Sequence, residues 1–173
     1  MEPNPTDIKN ILLVEDDPRD VELTLAALEE HNLANKVFVV HDGAEALDYL
    51  YHRGKFTNRT SGNPIFVLLD NKMPKVNGLE VLTAMKADAQ LKMIPVVVLT
   101  SSREPPDLVE FYNQGANAYV VKPVDFAEFM KAVSQLGVFW AAVNEPPPPP
   151  GGEVIYLGKK EVKNEFSTPD PAP

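Results

Sequence analysis

The sequence predicts an α/β domain in which five strands alternate with five helices around a parallel sheet. Three observations carry that expectation. Mostly apolar runs at residues 8–14, 65–69 and 95–99 have the pattern of strands buried on both faces. Helical periodicities with caps and breakers lie between the strands. Each strand is followed by a helix and a short return, and short β–α–β crossovers force parallel pairing with helices on both faces.

The elements follow in order. Residues 8–14 form the first strand. Asp17 is the N-cap of the first helix, Pro18 occupies its first position, and Val21, Leu25 and Leu28 make its apolar stripe. Residues 37–40 are the second strand and 44–51 a short helix. Residues 52–63 carry His52, Arg53, Lys55, Arg59 and two glycines, and read as a surface loop. The third strand, 65–69, ends on Asp70. Helix 78–87 places Leu79, Leu82 and Met85 on one side. The fourth strand, 95–99, ends on Thr100. Helix 107–114 stops at Gly115. The fifth strand, 119–121, ends on Lys122-Pro123. The last helix is expected over 125–144. Its apolar stripe is Phe126, Phe129, Val133, Leu136, Trp140 and Val143. The stripe through Leu136 should pack on the sheet, while Trp140 and Val143, with Phe139 beside them, should overrun its edge.

Composition bounds the function. With 173 residues, 44% of them hydrophobic, the chain is long enough for one domain with a real core. The formal charge of −9 disfavours direct binding of nucleic acid or anionic lipid. Cysteine is absent, which excludes disulfides, thiolate metal sites and a cysteine nucleophile. His31, His41 and His52 are not at metal-ligand spacing. No apolar run approaches the roughly 18 residues of a membrane span. The polar opening MEPNPTDIKN lacks the pattern of an export signal, so the expected location is the cytoplasm. Eight of the 17 prolines lie from residue 145 onward. The expected organisation is a domain at 1–144 and a proline-rich tail at 145–173.

Ligands of open parallel sheets bind beyond the carboxyl ends of the strands. Glu15, Asp16 and Asp17 follow the first strand, Asp70 the third, Thr100-Ser101-Ser102 the fourth and Lys122 the fifth. Each has an ordinary reading as a helix cap, a turn residue or a solvated lysine. Their joint placement at four strand ends points elsewhere. Converging carboxylates repel unless a cation neutralises them, and all-oxygen ligands suit Mg²⁺. A carboxylate, a hard cation, a lysine and a hydroxyl together can stabilise a transferring phosphoryl group.

The blocks ILLVEDDP (11–18), VLLDNKMPKVNG (67–78), VVVLTSS (96–102) and GANAYVVKP (115–123) resemble the receiver domain of two-component response regulators, over residues 8–144. The resemblance implies a doubly wound, flavodoxin-like fold with strand order 2-1-3-4-5. It implies that Asp70 accepts the phosphoryl group and that Glu15, Asp16, Asp70 and the Lys72 carbonyl hold Mg²⁺. Thr100 and Lys122 would bind the phosphoryl group, Tyr119 would be the switch that follows Thr100, and Asp17 would be dispensable. Lys72 and Ser102 would tune the lifetime of the phosphoaspartate. The long 52–63 loop and the extended last helix are similar to single-domain regulators partnered with bacterial phytochromes and other sensor kinases. The implied partner is a sensor histidine kinase, a bacteriophytochrome on the finer match. Docking is expected at residues 19–23 and 123–125.

The 29 residues after 144 are too few for an effector domain, so output is expected through protein contacts. A homodimer is expected, through the fourth helix, fifth strand and fifth helix, or through the extended last helix with Phe139, Trp140 and Val143. Residues 154–157 (VIYL) either add a strand to the partner subunit or belong to a flexible tail. Relay and terminal-switch roles both stay open. A phosphatase resembling the haloacid dehalogenases would need an aspartate where Lys72 stands, and a flavodoxin a hydroxyl-rich phosphate loop where the chain has carboxylates. A pseudo-receiver that works without phosphorylation is disfavoured by the complete residue set.

Overall fold

The computed structural model describes residues 10–147. Its elements are β1 (Ile11–Val14), α1 (Pro18–Glu29), β2 (Val37–Val40), α2 (Gly43–Leu50), β3 (Phe66–Leu69), α3 (Gly78–Ala87), β4 (Val96–Thr100), α4 (Pro105–Asn113), β5 (Ala118–Val121) and α5 (Phe126–Val138), followed by a wide π turn at Phe139–Val143. All strands pair in parallel, in the order β2-β1-β3-β4-β5.

The period-two geometry of strands divides the core in two. Leu12, Val14, Val67, Leu69, Val96 and Val98 face one side, against Tyr49, Leu50, Val81, Leu82, Met85 and Phe111. Ile11, Leu13, Phe66, Leu68, Val97 and Leu99 face the other, against Ala27, Leu28, Phe129 and Val133. So α1 and α5 cover one face, and α2, α3 and α4 the other. Each fully buried Leu or Val contributes roughly 1.5–3 kcal/mol. Strands apolar on both faces therefore take the central positions β1, β3 and β4. The half-exposed β2 and β5 take the edges.

The helix ends follow local chemistry. The Asp17 carboxylate accepts from the Arg19 N–H at 2.8 Å, with Pro18 at the first position of α1. Asn77 and Glu80 form a reciprocal capping box on α3. The chain leaves α4 through Gly115 at φ +94°, a left-handed conformation that glycine adopts without penalty. Helix α4 begins at Pro105, two residues before the expected start, because consecutive prolines fit a helix's first turn, where N–H groups lack partners anyway.

Several expectations need correction. Helix α5 does not run on to 144 as regular α-helix. It ends at Val138 and widens, and the Asn144 N–H reaches the Phe139 carbonyl at 2.7 Å. Trp140, four residues after Leu136 on the same apolar stripe, packs with the α1/α5-side core and lies 6.4 Å from the Phe66 ring. Trp140 therefore does not overrun the sheet edge. Phe139 (48% exposed) and Val143 (63%) do face outward. Phe126 is not packed on the sheet. At the first position of α5 it precedes the region of contact and is 60% exposed. The 52–63 segment is more than a surface loop. Phe56 is buried in the core beside Tyr49, and the Arg59 guanidinium lies 4.1 Å from the Tyr49 ring centre. Residues 8 and 9, expected in the first strand, and 154–157 lie outside the described residues.

Candidate functional site

Parallel order brings the carboxyl ends of β1, β3, β4 and β5 side by side. Backbone bonds extend the sheet just past these ends. The Glu15 N–H donates to the Val40 carbonyl at 3.0 Å, the Asp70 N–H to Val14 at 3.0 Å, and the Lys122 N–H to Thr100 at 2.7 Å. Glu15, Asp70 and Lys122 are thus fixed by sheet geometry rather than by flexible loops. The start of α3 closes in from the side. A Cβ on Gly78 would lie 2.2 Å from the Asp70 carbonyl oxygen, so only glycine fits there.

Carboxylate oxygens of Glu15, Asp16 and Asp70 lie within 4.8 Å of one another. Glu15 and Asp70 are buried and Asp16 is exposed. The Lys122 ammonium sits among the buried pair, 2.6 Å from Glu15 Oε2 and 3.2 Å from Asp70 Oδ1. The other Asp70 oxygen, Oδ2, accepts the Lys72 backbone N–H at 3.0 Å.

Burial dominates the electrostatics. It pushes Glu15 from its ordinary 4.5 up to about 7, against the pull of Lys122. Burial likewise raises Asp70, again against Lys122. For Lys122 burial opposes the charged form, but its hydrogen bonds to Asp20 and Glu15 outweigh burial and raise its pKa. Three clustered carboxylates meet a single lysine here. That donor set fits a hard divalent cation such as Mg²⁺, for which all-oxygen ligands and one open solvent side are suited.

The hydroxyl side of the site is wired separately. Thr100 is buried at the end of β4, and its Oγ1 accepts from the Ser102 N–H at 3.2 Å. The Ser102 hydroxyl donates to Asp107 Oδ2 at 2.6 Å, and the Tyr119 hydroxyl donates to the Ser102 carbonyl at 3.2 Å. Tyr119 packs beside Phe111 of α4, with ring centres 5.7 Å apart. Thr100, the β4–α4 loop and Tyr119 are therefore joined through Ser102.

The structure brings Glu15, Asp16, Asp70 and Lys122 together. It sets Lys72 at their rim, and Thr100 and Tyr119 on the adjoining β4–β5 side. Phe139, Trp140 and Val143 stand apart, beyond α5. Two residues were missed in the sequence. Asp20, in the first turn of α1, accepts from Lys122 at 2.7 Å, and Asp107 anchors Ser102. Asp20 lies three residues after the cap Asp17, so its type and position read as an ordinary helix-start acid. Only the tertiary position of Lys122 sets it apart.

The sequence pattern of the response regulator receiver domain matches residues 11–134. The response regulator Rcp1 of Synechocystis sp. is 36% identical over 132 residues, covering 76% of this chain and 88% of that protein. A solved structure of the bacteriophytochrome response regulator RtBRR is 61% identical, with a TM-score of 0.65, covering 81% of this chain and 84% of that one. The crystal structure of the phosphorylated cyanobacterial phytochrome response regulator RcpA is 36% identical, with a TM-score of 0.75, covering 80% of this chain and 98% of that one.

Proposed function

The chain belongs to the response regulator receiver domain family of two-component signalling, and from that premise we propose that Asp70 is its phosphoacceptor. The single observation that carries this assignment is the three-carboxylate cluster with a lysine 3.2 Å from Asp70. An Asp70 carboxylate oxygen attacks phosphorus in line. The bond from phosphorus to the imidazole nitrogen of a kinase phosphohistidine breaks, and the histidine leaves with that bond's electron pair. Glu15, Asp16, Asp70 and the Lys72 carbonyl would hold Mg²⁺, whose charge would neutralise the transferring phosphoryl oxygens when bound. Lys122 supplies a fixed positive charge at the phosphoryl group. Thr100 supplies a hydroxyl donor, and its link through Ser102 to Tyr119 carries the change to the β4–α4 loop. Lys72 and Ser102 tune how long the phosphoaspartate lasts. New bonds made only after phosphorylation shift a pre-existing equilibrium, and a near-complete swing needs about 5.5 kcal/mol.

The partner is a sensor histidine kinase. The names of the similar regulators RtBRR and RcpA favour a bacteriophytochrome. Residues 1–144 act as the receiver and 145–173 as a tail, much of which lies outside the described residues. Output passes through protein contacts, with no chemistry on other substrates. A homodimer uses the turn carrying Phe139, Trp140 and Val143, or the α4–β5–α5 face. No helix among the described residues is long and apolar enough to cross a membrane, in keeping with a cytoplasmic role.

Acetyl phosphate with Mg²⁺ tests the assignment. The wild type should be labelled and Asp70→Asn should not. Equal labelling of both would place the acceptor elsewhere.

A further inference from the structure

Lys122 donates to Glu15 and Asp20 and is ion-paired with Asp70 at 3.2 Å, and the three carboxylates are not equivalent. Glu15 and Asp70 belong to the cluster with metal-ligand spacing, while Asp20 does not. The Lys122 side chain is nearly buried, at 11% exposure, and Asp20, at 29%, meets its ammonium from the α1 side at 2.7 Å. A buried ammonium keeps its charge only with a carboxylate beside it. Glu15 is held by Lys122 at 2.6 Å, so a cation and the lysine compete for the same Glu15 carboxylate. Asp20 is the partner that can satisfy Lys122 while Glu15 turns to the metal.

We propose that Asp20 is a positioning residue that anchors the Lys122 ammonium and so releases Glu15 for the divalent cation. The inference rests on the metal site proposed above. Without Asp20, the ammonium retains Glu15 more firmly and cation affinity falls. A plain loss of negative charge near the cation would also weaken binding. The two causes separate in a double-mutant cycle, because anchoring acts through Lys122 and the general field does not.

The test is Mg²⁺ binding by isothermal titration calorimetry on the full chain. Asp20→Asn, which keeps shape and polarity, is made in the wild type and in Lys122→Met, and thermal melts monitored by circular dichroism check folding. Asp20→Asn should weaken Mg²⁺ about tenfold in the wild-type background and no more than about threefold in Lys122→Met, within the range of couplings between contacting residues. Asp20→Glu should recover most of the wild-type affinity. Equal weakening in both backgrounds, or none in the wild type, overturns the anchoring role alone. A wild type that binds no Mg²⁺ overturns the proposed metal site, and this inference with it.

Discussion

Glu15 is a buried carboxylate whose ionisation opposes folding while the site holds no cation. Its pKa is raised from 4.5 to about 7, mainly by burial. Each tenfold in proton affinity is worth about 1.4 kcal/mol, so that interval amounts to about 3 kcal/mol. The sign follows from the raised value. The protonated form favours the fold, so the contribution is fully present below about pH 4.5 and is lost as pH rises through about 7. Glu15→Gln keeps the side chain's shape and cannot ionise. Urea unfolding in chelator, at about pH 5 and about pH 8, should show the wild type losing about 2 kcal/mol more than Glu15→Gln over that interval, since part of the effect is already lost at pH 5. Asp70 is raised by burial as well and contributes in the same direction in both proteins. Adding Mg²⁺ at about 100 times its dissociation constant should return about 2.7 kcal/mol to the wild type and far less to the variant. Equal pH slopes in chelator would refute the reasoning, because they would mean Glu15 is not held in a desolvated site.

Three further outcomes follow from the packing. Gly78→Ala would drive a methyl group into the Asp70 carbonyl, which is backbone and cannot swing aside, so it should destabilise by about 2 kcal/mol or more and slow acetyl phosphate labelling. Trp140→Ala should cost about 2 kcal/mol in urea unfolding, below the 3–5 of a fully buried aromatic, since Trp140 is half-buried against Phe66; a change near zero would put Trp140 off the core. Phe139→Asp, at an exposed position, should change stability by no more than about 0.5 kcal/mol and convert any dimer seen by light scattering to monomer, whereas an unaltered dimer would move the interface to the α4–β5–α5 face.

The sheet was legible because its signals are redundant. Residues 11–14, 66–69 and 96–99 are apolar at every position, and only strands covered on both faces bury such runs. The strand-end chemistry was legible for a related reason, since parallel topology turns the ends of separate motifs into neighbours. What escaped depended on three-dimensional detail. A stripe of apolar residues spaced three and four apart implied regular helix through Val143, but the turn widens at Phe139, and the sheet reaches far enough for Trp140 to pack on Phe66 rather than overrun its edge. Arg59 looked like solvated charge because its stacking on Tyr49 needs a partner ten residues away and a folded loop between them. Asp20 resembled any first-turn acid until Lys122, about a hundred residues later, arrived beside it.

The most direct test is a crystal structure of the protein with Mn²⁺ and beryllofluoride, using the anomalous signal of manganese. A single Mn²⁺ among Glu15, Asp16 and Asp70, with beryllium bonded to an Asp70 oxygen and Lys122 on a fluoride, is the predicted result. Manganese away from that cluster, or beryllofluoride on any other carboxylate, would contradict the account.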